Sequence, residues 1–139
     1  MLTDGLGVPL GLAVDGANRH DMKMLEPTLN ATVVARPQPT TEDLQHLCLD
    51  KGYDYPVVRE LASAFEYVLH LRTRGEEIKE KITVPGYRAR RWVVERTHSW
   101  MNRFRRLLIR WEKKEDNYLA MLHFACAWIS FRSAEAFGI

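Results

Sequence analysis

Between Arg88 and Arg110 the chain carries eight arginines and one acid, Glu95. A carboxylate set among arginines has two plain uses. It can pair with Arg91, four residues before it; arginine preceding glutamate is the weaker order on a helix, giving at most ~0.3 kcal/mol. Or it can ligate a divalent cation while the arginines hold the phosphates of a nucleic-acid backbone. Asp50 is the second acid suited to such work. It ends the short apolar run of residues 44 to 50, just before a turn at Gly52 and a helix. The carboxyl ends of strands are where open α/β sheets bind ligands. Two carboxylates meeting there could hold metal ions that activate water or a hydroxyl and support a leaving oxygen. The alternative for Asp50 is a turn or capping residue, a role that Asp54 suits better. The histidines, His20, His46, His70, His98 and His123, show no metal-ligand spacing.

The elements that would position these acids follow from pattern. A hairpin is expected at the start, turning at Asp4-Gly5-Leu6-Gly7 into a second strand of about residues 8 to 14. Asp21 would cap a helix to about residue 31, with Met22, Met24, Leu25 and Leu29 on its apolar face. After a proline-marked loop, residues 46 to 50 read as a strand. A helix follows, capped by Asp54, with Pro56 in its first turn, reaching about Ala64. Residues 65 to 71 read as a second strand, so this unit predicts a parallel pair with a helical crossover. Residues 72 to 86 read as irregular. One long helix is expected from about Arg88 to Arg110, its core ridge formed by Val93, Thr97, Trp100, Phe104 and Leu107, with Glu95 on the opposite side. A last, buried helix is expected from about Asn117 to Phe137.

Composition bounds the class. The chain has 139 residues, 46% hydrophobic and 27% charged, which suits one domain over residues 1–139 and argues against disorder. The net charge of +2 is unevenly spread: residues 1–70 hold 5 Lys/Arg and 10 Asp/Glu, and residues 71–139 hold 15 and 8. That asymmetry suits a polyanionic partner for the second half, with a solvated basic face as the alternative. Cys48 and Cys126 read as buried thiols in a reducing compartment. No signal peptide is visible, and the most apolar segment, residues 118 to 131, is shorter than the ~20 residues a membrane span needs.

"LDKGYD" (49–54) and "RRWVVERTHSWMNRFRRL" (90–107) together resemble two signature segments of bacterial insertion-sequence transposases, the DDE group and its insertion sequence 5 family. "DGLGVPLGLAVDGANRHD" (4–21) resembles the family's stretch between its first two catalytic acids. The family's Tyr-x2-Arg-x3-Glu-x6-Lys signature is met at Arg91 and Glu95; Arg88 stands at the tyrosine position beside Tyr87, and Asn102 at the lysine position beside Arg103. The resemblance implies an α/β, ribonuclease H-like (retroviral-integrase-like) fold with long C-terminal helices, incomplete because the first strand and its catalytic acid precede these residues. It implies Asp50 and Glu95 as the second and third catalytic, metal-binding carboxylates, with Mg2+ as cofactor and two ions in the complete enzyme. Arg88, Arg91, Arg96, Arg103, Arg105 and Arg106 become the expected DNA contacts. The implied function is cleavage and strand transfer at insertion-sequence ends in a bacterial cytoplasm, at the nucleoid when bound. The implied partners are element-end and target DNA, an N-terminal transposase segment from an upstream reading frame, and further copies of the chain. The chain alone is expected to be inactive, whether as a split-frame product or a decayed remnant. The alternative is a non-catalytic DNA-binding fragment or regulator of transposition.

Overall fold

The computed structural model of this protein describes residues 1–16, 18–71 and 92–136. The expected irregular segment 72–86, the start of the long helix near Arg88 and the end of the last helix at Phe137 lie outside them.

The chain opens with a hairpin of β1 (Leu2–Thr3) and β2 (Pro9–Gly11), paired antiparallel. Asp4 shapes its turn: one carboxylate oxygen accepts the backbone N–H groups of Leu6 and Val8, both at 2.8 Å. Gly7 sits at φ +85°, and a Cβ there would lie 2.9 Å from Thr97 Oγ1, so the turn requires glycine. β2 ends earlier than the expected residue 14. At Gly11 the strand touches the next helix, where a Cβ would fall 2.6 Å from the Thr28 carbonyl oxygen. Leu12 and Val14 then leave the sheet for a core formed by the C-terminal helices.

Helix α1 (Met22–Asn30) buries Leu25 and Leu29 as its pattern predicts. Asp21 stands at its N-cap position but makes no side-chain cap bond, because its own backbone is already helical. Strand β3 (His46–Leu49) and β4 (Val68–Leu71) pair in parallel, in register from His46↔Val68 to Leu49↔Leu71. Helix α2 (Pro56–Ala64) is the expected crossover between them. β4 starts later than expected because Phe65 and Glu66 close α2: the Tyr67 N–H reaches back to the Ala62 carbonyl, and Glu66 takes a left-handed φ of 56°. Tyr55, not Asp54, stands at the N-cap position of α2 and makes no side-chain cap bond, and Asp54 pairs instead with Arg59.

The expected long helix is broken. Helix α3 (Trp92–Met101) ends before Phe104, whose ψ of 104° is extended, and the short α4 (Arg105–Leu108) follows. The ridge survives the break: Val93 and Thr97 are buried, and Trp100, Phe104 and Leu107 pack on the C-terminal core. Extending the backbone at Phe104 keeps its ring in that core while the chain turns. Helix α5 (Glu115–Ala136) is long, as expected, but it is not buried all round. Leu122, Ala125 and Ile129 face inward, whereas Phe124, Trp128 and Phe131 are 61%, 48% and 53% exposed.

Two cores result. One joins α1, α2 and the β3–β4 sheet around Leu25, Leu29, Leu47, Val58 and Ala62. The other joins α5 to the end of α3 around Met101, Leu122, Ala125 and Ile129. The architecture is mixed α/β with two separate two-stranded sheets, β1–β2 and β3–β4, among the described residues. Among the described residues no single continuous sheet joins them. Cys48 is exposed, against the expectation of a buried thiol, because its strand position faces away from the leucines of the first core; Cys126 is half-buried, and neither joins a disulfide. Among the described residues no helix is long and apolar enough to cross a membrane.

Candidate metal and nucleic-acid site

The ends of β3 and α3 meet an open cleft of about 1070 Å3, lined by both Asp50 and Glu95. The fold therefore brings the two acids singled out in the sequence to one space, although 45 residues separate them. Asp50 stands one residue past β3. Its Oδ1 accepts the Gly52 N–H at 2.9 Å and so caps the short 3-10 turn Lys51–Tyr53. Asp50 is therefore the capping residue of this turn, whereas Asp54 gives α2 no cap bond and pairs with Arg59. The bond also orients Asp50 by engaging one of its two carboxylate oxygens. Glu95 is exposed on α3.

Asp4, Asp15 and Asp21 line the same cleft. Asp4 is committed to its turn. Asp15 pairs with Arg19 and accepts the Gly16 N–H, contacts that lower its pKa, the backbone bond first. The Tyr53 phenol between these elements is pushed above its ordinary pKa, first by burial and then by Asp21 and Asp50. His98 also faces the cleft. Desolvation lowers its pKa, the Met1 ammonium acts the same way, and Glu95 opposes both. Among the described residues, no group of three or more His, Cys, Asp or Glu side chains is arranged to hold a metal ion. Asp50 and Glu95 line one cleft without forming such a group among the described residues.

The arginines divide by role. Arg96, expected to contact DNA, is turned inward: its guanidinium donates to the Leu6 carbonyl and lies 4.9 Å from the Trp100 ring. Beside it, the fully buried Thr97 donates to the Gly7 carbonyl at 2.7 Å. These two residues clamp the hairpin turn onto α3, immediately after Glu95. Sequence reading missed the clamp; its one signal was a threonine in an otherwise apolar ridge. Arg103, Arg105 and Arg106 are exposed around the α3–α4 break, with Arg106 3.5 Å from Glu112. Arg88 and Arg91 lie outside the described residues.

The arrangement is two carboxylates in a cleft with a cationic surface on the neighbouring helices, which suits a divalent ion and a phosphodiester backbone. Comparison with known proteins agrees with that chemistry. Residues 1–130 match the transposase DDE domain family. The chain is 35% identical over 145 residues to a Burkholderia cepacia protein described as "Putative transposase for insertion sequence element IS402". That alignment covers 97% of this chain and 64% of the relative, so the chain spans less than two thirds of the relative's length. No solved structure matches it. On the family match and this identity, the chain belongs to the DDE transposases.

Proposed function

We propose that this chain is the C-terminal part of the catalytic domain of an insertion-sequence transposase, with a ribonuclease H-like sheet completed by a segment beyond these residues. The observation that carries the reading is the convergence of Asp50 and Glu95, from separate elements, on one cleft. Their oxygen donors fit Mg2+, which keeps several waters and takes only one or two carboxylates from a protein. Asp50 and Glu95 would hold it, and a third carboxylate from the completing segment would serve the second ion of the complete enzyme. The bound ion would supply Lewis acidity, making water or a 3′-hydroxyl nucleophilic and supporting the leaving oxygen. Asp50 presents one oxygen because its turn fixes the other. The clamp of Arg96 and Thr97 holds the helix that carries Glu95 against the hairpin. Arg103, Arg105 and Arg106 would hold phosphates on the outer face. The reaction is cleavage at element ends and joining of 3′-hydroxyls to target DNA, in a bacterial cytoplasm.

The test uses a chimera in which the rest of the relative's length completes the chain. Asp50→Asn or Glu95→Gln should each abolish magnesium-dependent joining of element-end DNA while DNA binding persists. Joining within tenfold of the unsubstituted chimera would overturn the assignment. A second reading has its own observation, that no group of three metal-ligating side chains occurs among the described residues: alone, the chain is a non-catalytic DNA-binding fragment. There Glu95→Ala alters affinity and nothing else, and the 139-residue chain leaves DNA uncut.

A further inference from the structure

The fold brings together two histidines that stand 24 residues apart in the chain, His46 on β3 and His70 on β4. In the parallel register His46 lies opposite Val68, and Cys48 opposite His70. Alternate residues of a strand share a face, so both histidines belong to one side of the β3–β4 sheet. Leu47 and Leu69 take the other side, in the first core. The two rings meet. His46 Nδ1 lies 2.8 Å from His70 Nε2, with the ring centroids 4.9 Å apart and the planes at 44°. His46 is exposed and His70 half-buried. The reading of Asp50 and Glu95 uses neither.

A metal ion can take the place of the proton between two such nitrogens. At a metal–nitrogen distance of about 2.0–2.1 Å, two nitrogens bound at right angles lie about 2.9 Å apart, and at the tetrahedral angle about 3.3 Å. The separation of 2.8 Å matches the right angle, which is the angle of tetragonal and octahedral ions such as Cu2+ and Ni2+. Both ions take imidazole readily, whereas Mg2+ takes oxygen donors. In the hydrogen bond one of the two facing nitrogens holds the proton. To ligate, that ring adopts its other tautomer, so both nitrogens present lone pairs and no proton need leave. Paired neighbouring strands already hold the two rings side by side, so little ordering remains to be done on binding. Cys48 shares the face, but no group of three donors forms among the described residues; the geometry is that of a two-imidazole chelate.

We propose that His46 and His70 form a chelating site for one late divalent transition-metal ion. The ion binds His46 Nδ1 and His70 Nε2 in neighbouring positions, with water in the others. Bound there, it staples β3 to β4 and stabilises the parallel pair whose first strand leads into Asp50. His46 also lines the cleft that Asp50 and Glu95 line, so the two sites differ in donor chemistry rather than in access. Nitrogen donors select the softer ion, and carboxylates the harder one. The inference does not depend on the metal chemistry proposed for the carboxylates.

Ni2+ is the probe, because Cu2+ would oxidise the exposed Cys48 thiol. Calorimetric titration of Ni2+ into the untagged 139-residue chain should show one saturable site. His46→Gln and His70→Gln should each weaken it at least tenfold, and the double variant no further than either single one. His20→Gln and His123→Gln, at exposed histidines elsewhere, should leave the affinity within twofold. The joint change Asp50→Asn and Glu95→Gln should do the same. Saturating Ni2+ should raise the urea midpoint of the unsubstituted chain and not that of either chelate variant. Substoichiometric Ni2+ should broaden amide resonances in both β3 and β4 of the unsubstituted chain, a readout that stands even where a variant misfolds. Loss of affinity with only one of the two chelate variants would mean contact by a single imidazole and would overturn the proposal. Binding that followed the carboxylates instead of the histidines would overturn it too, as would broadening confined to one strand or no saturable binding.

Discussion

On the proposed reading, Asp50 would serve structure and chemistry together. Its turn bond to Gly52 holds one carboxylate oxygen just past β3, on the wall of the cleft. The arginines show the reverse: Arg96 bonds to the hairpin turn, and the phosphate contacts proposed above fall to the exposed Arg103, Arg105 and Arg106. Changing Arg105 and Arg106 to alanine should weaken DNA binding and reduce its salt dependence by about one to two counterions; an unchanged slope in a salt titration would remove them from the interface. His98 gives a pH signature. Its folded pKa lies below the ordinary 6.5, chiefly through desolvation, so the unfolded chain binds more protons as pH falls. Stability should be full above about pH 6.5 and decline as pH drops through the folded value. Urea titrations between pH 5 and 8 should show that decline flattened in His98→Gln. Both acids were legible in the sequence because a lone carboxylate among arginines, and another at a strand end, stand out by type. The roles of Arg96 and Asp54 were not, because a guanidinium bonded to a carbonyl 90 residues away leaves no local pattern.

At the scale of elements, the hairpin is tied to α3 through its turn. Gly7 brings its carbonyl to Thr97 and leaves no room for a side chain. Gly7→Ala combines a positive φ with a contact under 3 Å and should cost about 2–3 kcal/mol. Thr97→Val, which keeps the shape and loses the bond, should cost about 1–2 kcal/mol. Urea unfolding measures both; if each cost under about 0.5 kcal/mol, the clamp would not be a structural contact. The β3-α2-β4 unit was readable because strand formers, Pro56 and alternation agree locally. The break at Phe104 was not, because neither glycine nor proline marks it and the apolar ridge runs through it unbroken. What ends α3 there is tertiary, the seat of Phe104 in the C-terminal core. The same blindness covers α5, whose apolar residues run round the helix although only one face is packed.

At the scale of the whole molecule, two small sheets and two cores among the described residues flank an open cleft, and Asp50 and Glu95 lie on its wall. Sequence gave the mixed α/β class and the parallel pair. It could not show that the hairpin and the parallel pair stand apart, since edge pairing is decided between segments distant in the chain. The central claim is that Asp50 and Glu95 serve one ion. Adding substoichiometric Mn2+ to the isotopically labelled chain measures this directly, because the ion broadens only nearby amide resonances. The account predicts selective broadening around both residues 50 and 95, lost at both places in Asp50→Asn and in Glu95→Gln. Broadening at one place alone, or broadening that survives both substitutions, would contradict it.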